Sequence, residues 1–255
     1  MGDIMANYKS AITFGLVHIP VSLNPVITNN DTSFNMLHKK CEQRIKYQKY
    51  CPHCKKEVKQ NEIIKGYEYM DKEFITLSDE EMKKLKSNND KIIEIISFVN
   101  LKEIDPIYFE KSYYLMADIK NKAYSLFKEA LKKENKVALA KTVLGNKFYY
   151  CLVRFGHNTL IMNTLYFNEE IKEIETRMTE EFTKKEMDLA VKLINEMTDS
   201  FKPDEYLDEY QNNIKKAIET KVQGKQIKPA KTKRPQSVND LMAALQKSIK
   251  QRKTA

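Results

Sequence analysis

The residues best placed to do chemistry are His38, Cys41, Cys51 and Cys54. Cys51-Pro52-His53-Cys54 has the two-residue spacing that lets a pair of thiolates grip one tetrahedral Zn²⁺, and His38 and Cys41 supply a second pair at the same spacing. Four such ligands with no open position describe a structural site. Such a site can order a loop too small to have a core of its own. His53 is a rival fourth ligand, but its place between two thiols strains it for the same ion. The competing reading is a loop of reduced thiols without metal. Cys151 lies in an apolar strand pattern and reads as a small buried hydrophobe rather than a nucleophile.

The same stretch concentrates positive charge. From His38 to Lys59, Lys39, Lys40, Arg44, Lys46, Lys49, Lys55, Lys56 and Lys59 face only Glu42 and Glu57, a net +6, and Tyr47 and Tyr50 interleave with them. A metal-pinned loop loses less ordering entropy when it grips a polyanion. Its lysines would then follow phosphates rather than read base edges. A second cationic block ends the chain. Residues 223–255 hold nine basic groups, among them Lys225, Lys228, Lys231, Lys233 and Arg234, against Asp240 alone. That block carries +8 of the chain's formal +9, so the remaining 222 residues are nearly neutral. Charge segregated in this way suggests a surface facing an anion, with a phosphate-binding arm behind it, although a merely solubilising tail fits the composition too.

Catalytic constellations are weak. The four histidines, His18, His38, His53 and His157, have no nucleophile placed beside them by sequence. No glycine-rich phosphate loop occurs. Glu62 with Lys65, and Glu110 with Lys111, can be bent into a nuclease pattern of carboxylate and lysine, but acids and lysines are too common here for the match to weigh much.

The elements that must position these groups alternate along the chain. Residues 11–17, Phe74 to Leu77, Ile92 to Val99 and Ser112 to Ala117 read as strands. Phe148 to Phe155 and Thr159 to Tyr166 read as a hairpin around Gly156-His157-Asn158, a loop that suits positive φ. Strands spread over this length favour a barrel or a curved sheet. Ser78-x-x-Glu81 and Thr183-x-x-Glu186 are capping boxes opening helices. Lys122 to Lys133 and Glu205 to Val222 carry apolar residues at helical spacing. Those stripes, including Met187, Ala190, Val191, Ile194 and Met197, read as packing faces. Residues 223–236, with Gly224, Pro229 and Pro235, read as a basic flexible linker. Beyond it Val238, Leu241, Met242, Leu245 and Ile249 line one side of a short amphipathic helix, which either docks a partner or folds back on the body.

No apolar run reaches the ~18 residues of a membrane span. Residues 1–10 lack the charged and apolar regions of a signal peptide, and Ala6 stands where a myristoylation signal wants Ser or Thr. A cytoplasmic protein is therefore expected, with thiols rather than disulfides.

Several of these segments together resemble the prokaryotic Ku family. They are residues 10–23 (SAITFGLVHIPVSL), 37–54 (LHKKCEQRIKYQKYCPHC), Ile64 to Tyr69, and Glu103 to Leu115. Lys122 to Leu131, Val137 to Lys141 and Val238 to Leu245 follow in the same order. The resemblance spans about Ser10 to Ile249. It implies an α+β chain with a seven-stranded β-barrel core and helical arms, dimerising into a ring that threads duplex DNA. It implies non-homologous end joining of double-strand breaks with an ATP-dependent DNA ligase, no catalytic activity and no organic cofactor. It also puts the cysteine-bearing segment over the DNA. On this reading a core over 8–222 contains a bridge of about 35–66 and a helical arm of about 180–222. A linker over 223–236 and an end over 237–255 follow, with Leu241, Met242, Leu245 and Ile249 meeting the ligase. The tail is shorter than in some relatives, which leaves tail functions such as bridging duplexes open. A zinc-bearing, metal-dependent nuclease acting on duplex DNA is the alternative.

Overall fold

Gly15 decides how the chain begins. In the computed structural model it has φ +55, a left-handed value that glycine adopts without strain. The run 11–17, expected as one strand, is therefore broken into a hairpin: β1 (Tyr8–Phe14) turns at Gly15-Leu16 into β2 (Val17–Pro25). The described residues are 8–84, 92–118, 120–145, 147–174 and 182–227. Along them follow β3 (Tyr50–Cys51), β4 (Lys56–Glu57), β5 (Lys65–Met70), β6 (Glu73–Leu77), the short helix α1 (Asp79–Lys84), β7 (Ile92–Val99) and β8 (Phe109–Met116). Then come α2 (Lys122–Glu134), β9 (Val137–Leu144), β10 (Lys147–Gly156), β11 (Thr159–Leu165), α3 (Lys184–Met197) and α4 (Glu209–Val222). No helix among the described residues is long and apolar enough to cross a membrane.

Seven strands close into a barrel in the order β1-β2-β8-β11-β10-β9-β7. Six of the seven neighbour pairs are antiparallel. The closing pair, β1 with β7, is parallel and sets Ala11 opposite Ile92. Closure removes the exposed sheet edges that would otherwise recruit other chains. Alternation along the strands fills the interior with Ile12, Ile19, Val21, Leu23, Ile93, Leu115, Cys151, Val153, Leu160 and Met162. Each fully buried Leu or Ile contributes roughly 1.5–3 kcal/mol.

α2 belongs to that core. Asn121 caps it by accepting from the Tyr124 backbone N–H at 3.0 Å, and Asn135 ends it at φ 50. Phe127 and Leu131 pack into the core cluster. Tyr124 latches the helix to the barrel: its hydroxyl donates to the Leu115 carbonyl at 2.6 Å and accepts from the Leu160 N–H at 3.2 Å. Cys151 is fully buried, and desolvation pushes its thiol up to about 12, which leaves it inert as a nucleophile.

The chain divides into two compact units, Met1–Asn29 with Asn35–Glu173, and Asn30–Phe34 with Ile174–Ala255. In the second unit Thr183 accepts from the Glu186 N–H, and the Glu186 carboxylate accepts in return from Thr183, so the expected capping box forms and α3 starts there. α4 starts at Glu209 rather than at 205. Pro203 opens a single 3-10 turn over 203–205, and Asp208, accepting from the Gln211 N–H, is the cap. The backbone N–H of Thr32 donates to Gln211 at 3.0 Å and ties the 30–34 segment to α4. The apolar stripe of α3, expected as a packing face, is not buried by the described residues of its own unit. Met187, Val191, Ile194 and Met197 are exposed and α3 buries no residue. The periodicity marks a face able to pack, and α4, the other helix described in the same unit, leaves it open.

Candidate nucleic-acid interface

Residues 35–66 form a segment of turns without a core: none of them is buried. Two tight turns organise it. In the first, an isolated antiparallel bridge joins Leu37 to Arg44. The His38 N–H donates to the Gln43 carbonyl at 2.9 Å, and the Glu42 N–H donates back to the His38 carbonyl at 2.8 Å. In the second, β3 pairs with β4, setting Cys51 opposite Lys56. Each turn brings a donor pair together. His38 Nδ1 stands 3.1 Å from Cys41 Sγ, and the Cys54 N–H donates to Cys51 Sγ at 3.5 Å. Each pair is followed at once by a left-handed residue, Glu42 at φ 55 and Lys55 at φ 52. The two turns are thus alike in donor spacing and in backbone form.

The thiols of the second turn are electrostatically unequal. The backbone N–H of Cys54 pulls the Cys51 thiol below its usual range, with help from the Cys54 side chain and the nearby Lys56 charge. Cys54, donating to Cys51 and facing its charge, is pushed up. Cys51 therefore carries the first thiolate of the pair, and a thiolate is the form that binds metal. His53 Nδ1 lies 4.0 Å from Cys54 Sγ. The structure brings His38 to Cys41 and Cys51 to Cys54 but does not bring the two pairs together. No group of three or more His, Cys, Asp or Glu positioned to hold a metal occurs among the described residues.

The cations are where a polyanion can reach them. Lys39, Lys40, Arg44, Lys46, Lys49, Lys55, Lys56 and Lys59 are all exposed. No ion pair engages any of them among the described residues, whereas Lys111, Lys141 and Lys147 on the barrel each meet a glutamate. Lys49 is held by the Gln60 side chain. Tyr47 is 84% exposed and donates to the Met36 sulfur at 3.4 Å, so an apolar ring stands in solvent among the charges. Lys225 is exposed at the end of the described chain. Lys228, Lys231, Lys233, Arg234, Leu241, Met242, Leu245 and Ile249 lie outside the described residues.

Two polar features escaped the sequence reading. Arg154 is half-buried, desolvation lowers its pKa, and its Nε donates to Asn163 at 2.9 Å; Asn163 in turn donates to Ser112 at 2.7 Å. The β5–β6 hairpin is the other, of which only the β6 run was visible. Its first strand, with Gly66, Glu68 and Met70, lacks the β-branched enrichment that would mark it.

Comparison with known proteins completes the picture. Residues 13–189 match the family model described as the Ku70/Ku80 beta-barrel domain. The chain is 40% identical over 247 residues to the non-homologous end joining protein Ku of Lachnoclostridium phytofermentans, covering 96% of each chain. It is 41% identical over 253 residues to the protein of that name in Heliobacterium modesticaldum, covering 97% of this chain and 92% of the relative. The protein of that name in Bacillus subtilis is 34% identical over 255 residues, covering 97% and 82%.

Proposed function

Since the chain belongs to the Ku family, we propose that it binds the ends of double-stranded DNA without regard to sequence. It does so as a ring-shaped homodimer that recruits an ATP-dependent DNA ligase for non-homologous end joining, and it catalyses nothing itself. The observation that carries this reading is the coreless, exposed cationic segment 35–66 on a closed barrel. Exposed lysines on a turn scaffold bind phosphates and position a protein on a duplex, but they do not specify bases. A ring of two identical chains requires an isologous interface, and the uncovered apolar face of α3 is consistent with a surface completed by another chain.

The test compares linear with covalently closed circular duplex as competitors, with Mg²⁺ present. The ring is expected to be displaced by linear duplex and not by the circle, and to leave DNA lengths unchanged. Equal competition by the circle would defeat threading, and shortened or nicked DNA would establish the nuclease instead.

We also assign His38, Cys41, Cys51 and Cys54 to one structural zinc ion. The donors are those zinc prefers, and they come as two like turns of two. The ion would supply the cross-link that this segment, lacking a core, does not get from packing. The two turns must close on the ion together, as expected where metal binding and local folding are one event.

The stripe Leu241, Met242, Leu245 and Ile249 is assigned to the ligase. Replacing Leu241 and Leu245 by Asp should leave DNA affinity within about twofold, because the stripe carries no cation, and should reduce stimulation of the ligase by about tenfold or more. Undiminished stimulation would remove the ligase from that stripe.

A further inference from the structure

The barrel closes over a short stretch. β1 and β7 run parallel and pair only at Ala11 with Ile92, Ile12 with Ile93 and Thr13 with Glu94. β1 then turns away at Gly15-Leu16 into β2, while β7 continues to Val99. On its other side β7 stays paired with β9 as far as Val99 opposite Val137. Ile96 to Val99 therefore have one paired edge and one open edge, and no backbone bond among the described residues satisfies the open one. Such unpaired N–H and C=O groups are a template for a further strand. Beside this edge lies an apolar cavity of about 580 Å³. α2 lines it. The helix buries Phe127 and Leu131 and leaves a second apolar row, Ala123, Leu126 and Ala130, in the open, with Leu126 70% exposed. Phe98 of β7 lines the cavity too, 50% exposed and edge-on to Phe127, and so does Val17 just past the Gly15 turn. Two charged residues complete the lining, Glu134 and Lys136. Lys136 is engaged, since its Nζ donates to Asn100 at 2.6 Å. Glu134 is exposed and makes no ion pair among the described residues. It precedes Val137 by three residues, which puts it at the Val99 end of the open edge.

We propose that this edge and cavity bind an extended segment of another protein, added to β7 as a further strand. The segment carries apolar side chains at alternate positions and a lysine or arginine where it passes Glu134. Open backbone groups select a strand, because main-chain bonds supply the affinity when a peptide joins a sheet edge. A helix keeps its backbone bonds to itself and would leave the edge unsatisfied. Successive side chains of a strand face opposite ways, so the cavity takes every second one. The free carboxylate of Glu134 selects a cation at one end of the segment. Duplex DNA does not fit, because the cavity is apolar and its one unengaged charge is negative. The open edge is four residues long, roughly 13 Å, so a segment of about six residues covers it. The assignment is independent of the ring and of the stripe beyond the linker.

Fluorescence anisotropy with the full-length protein tests the assignment. The probes are dye-labelled hexapeptides of alternating valine and threonine with one lysine, placed first in one peptide and last in the other to cover both strand directions. The better of the two should bind saturably below ~1 mM. Glutamate in place of its lysine should weaken it about tenfold, and Glu134→Lys should reverse that preference. N-methylation at alternate peptide nitrogens should weaken binding about tenfold or more in one register and not in the other, since only every second N–H faces the edge. Leu126→Glu should weaken binding about tenfold at an unchanged thermal midpoint, because an exposed side chain contributes little to the core. Hydrogen exchange should slow at Ile96 to Val99 when the peptide is bound. No saturable binding by either peptide at ~1 mM overturns the proposal. Equal binding by both N-methylated registers gives the cavity to apolar side chains alone and overturns the strand. Protection that appears elsewhere, or full affinity in Leu126→Glu, puts the peptide off this edge. A peptide that lowers the parent's sedimentation coefficient gives the edge to a second copy of this chain instead.

Discussion

Replacing Lys39, Lys40, Arg44, Lys46, Lys49, Lys55 and Lys56 by Gln is expected to lower affinity for linear duplex by about three orders of magnitude or more at ~50 mM salt. The physical reason is counterion release. Each phosphate neutralised by a side chain frees a condensed cation, and the logarithm of the binding constant falls with the logarithm of salt with a slope of about −0.9 per neutralised phosphate. With seven cations neutral, the slope should therefore flatten by about 6 units. All seven side chains are exposed and none is ion-paired among the described residues, so their removal breaks no salt bridge there. The thermal midpoint should stay within a few degrees of the parent's, because surface changes away from core or network features usually stay within about ±0.5 kcal/mol each. Discrimination between linear and circular competitors should survive, since threading through the proposed ring would depend on its closure rather than on charge. A salt slope equal to the parent's would show that DNA is held elsewhere.

The second large effect is expected at the metal. Cys51→Ser with Cys54→Ser should take the zinc content from about one per chain to none. In zinc-finger peptides structural zinc binds with roughly 10–16 kcal/mol, whereas a typical hydrogen bond contributes only about 1 kcal/mol net. In a segment with no buried residue a bound metal would therefore dominate local order. Hydrogen exchange and protease cleavage should rise within 35–66 and stay unchanged in the barrel, whose core of Ile12, Ile93, Leu115 and Leu160 lies elsewhere. The metal should also leave as pH falls. Protons compete with the ion for the thiolates, so metal affinity falls with pH. Elemental analysis showing no zinc in parent protein prepared without chelators would remove the assignment. Unchanged exchange in the double variant would deny the ion any structural role.

Much of the architecture is local and was therefore legible. Ile92 to Val99 is a strand with the bounds its β-branched run implied. Lys122 to Glu134 is a helix one residue longer than its periodicity suggested. The Thr183 box starts α3 where the spacing placed it. The β10–β11 hairpin was visible too, although its turn is His157-Asn158 alone, both left-handed, and Gly156 stays in the strand. Errors arose where local pattern was silent or misleading. The apolar run through Leu16 and Val17 hid a hairpin that a single positive φ at Gly15 creates. β5 carries too few β-formers to announce itself.

By itself the sequence determined the donor spacing at His38, Cys41, Cys51 and Cys54, the charge of the 38–59 segment, the alternation of the strands and the family the chain belongs to. All of these are properties of residue type and short-range order. Tertiary structure alone decided the rest. Barrel closure pairs Ala11 with Ile92 across some eighty residues, a pairing with no local signature. Two left-handed residues, Glu42 and Lys55, shape the donor turns, although neither side chain favours that conformation. Burial separates stripes that pack, such as Phe127 and Leu131 of α2, from stripes left open, such as that of α3. Periodicity shows that a face can pack, and only the arrangement of the other elements shows whether anything covers it.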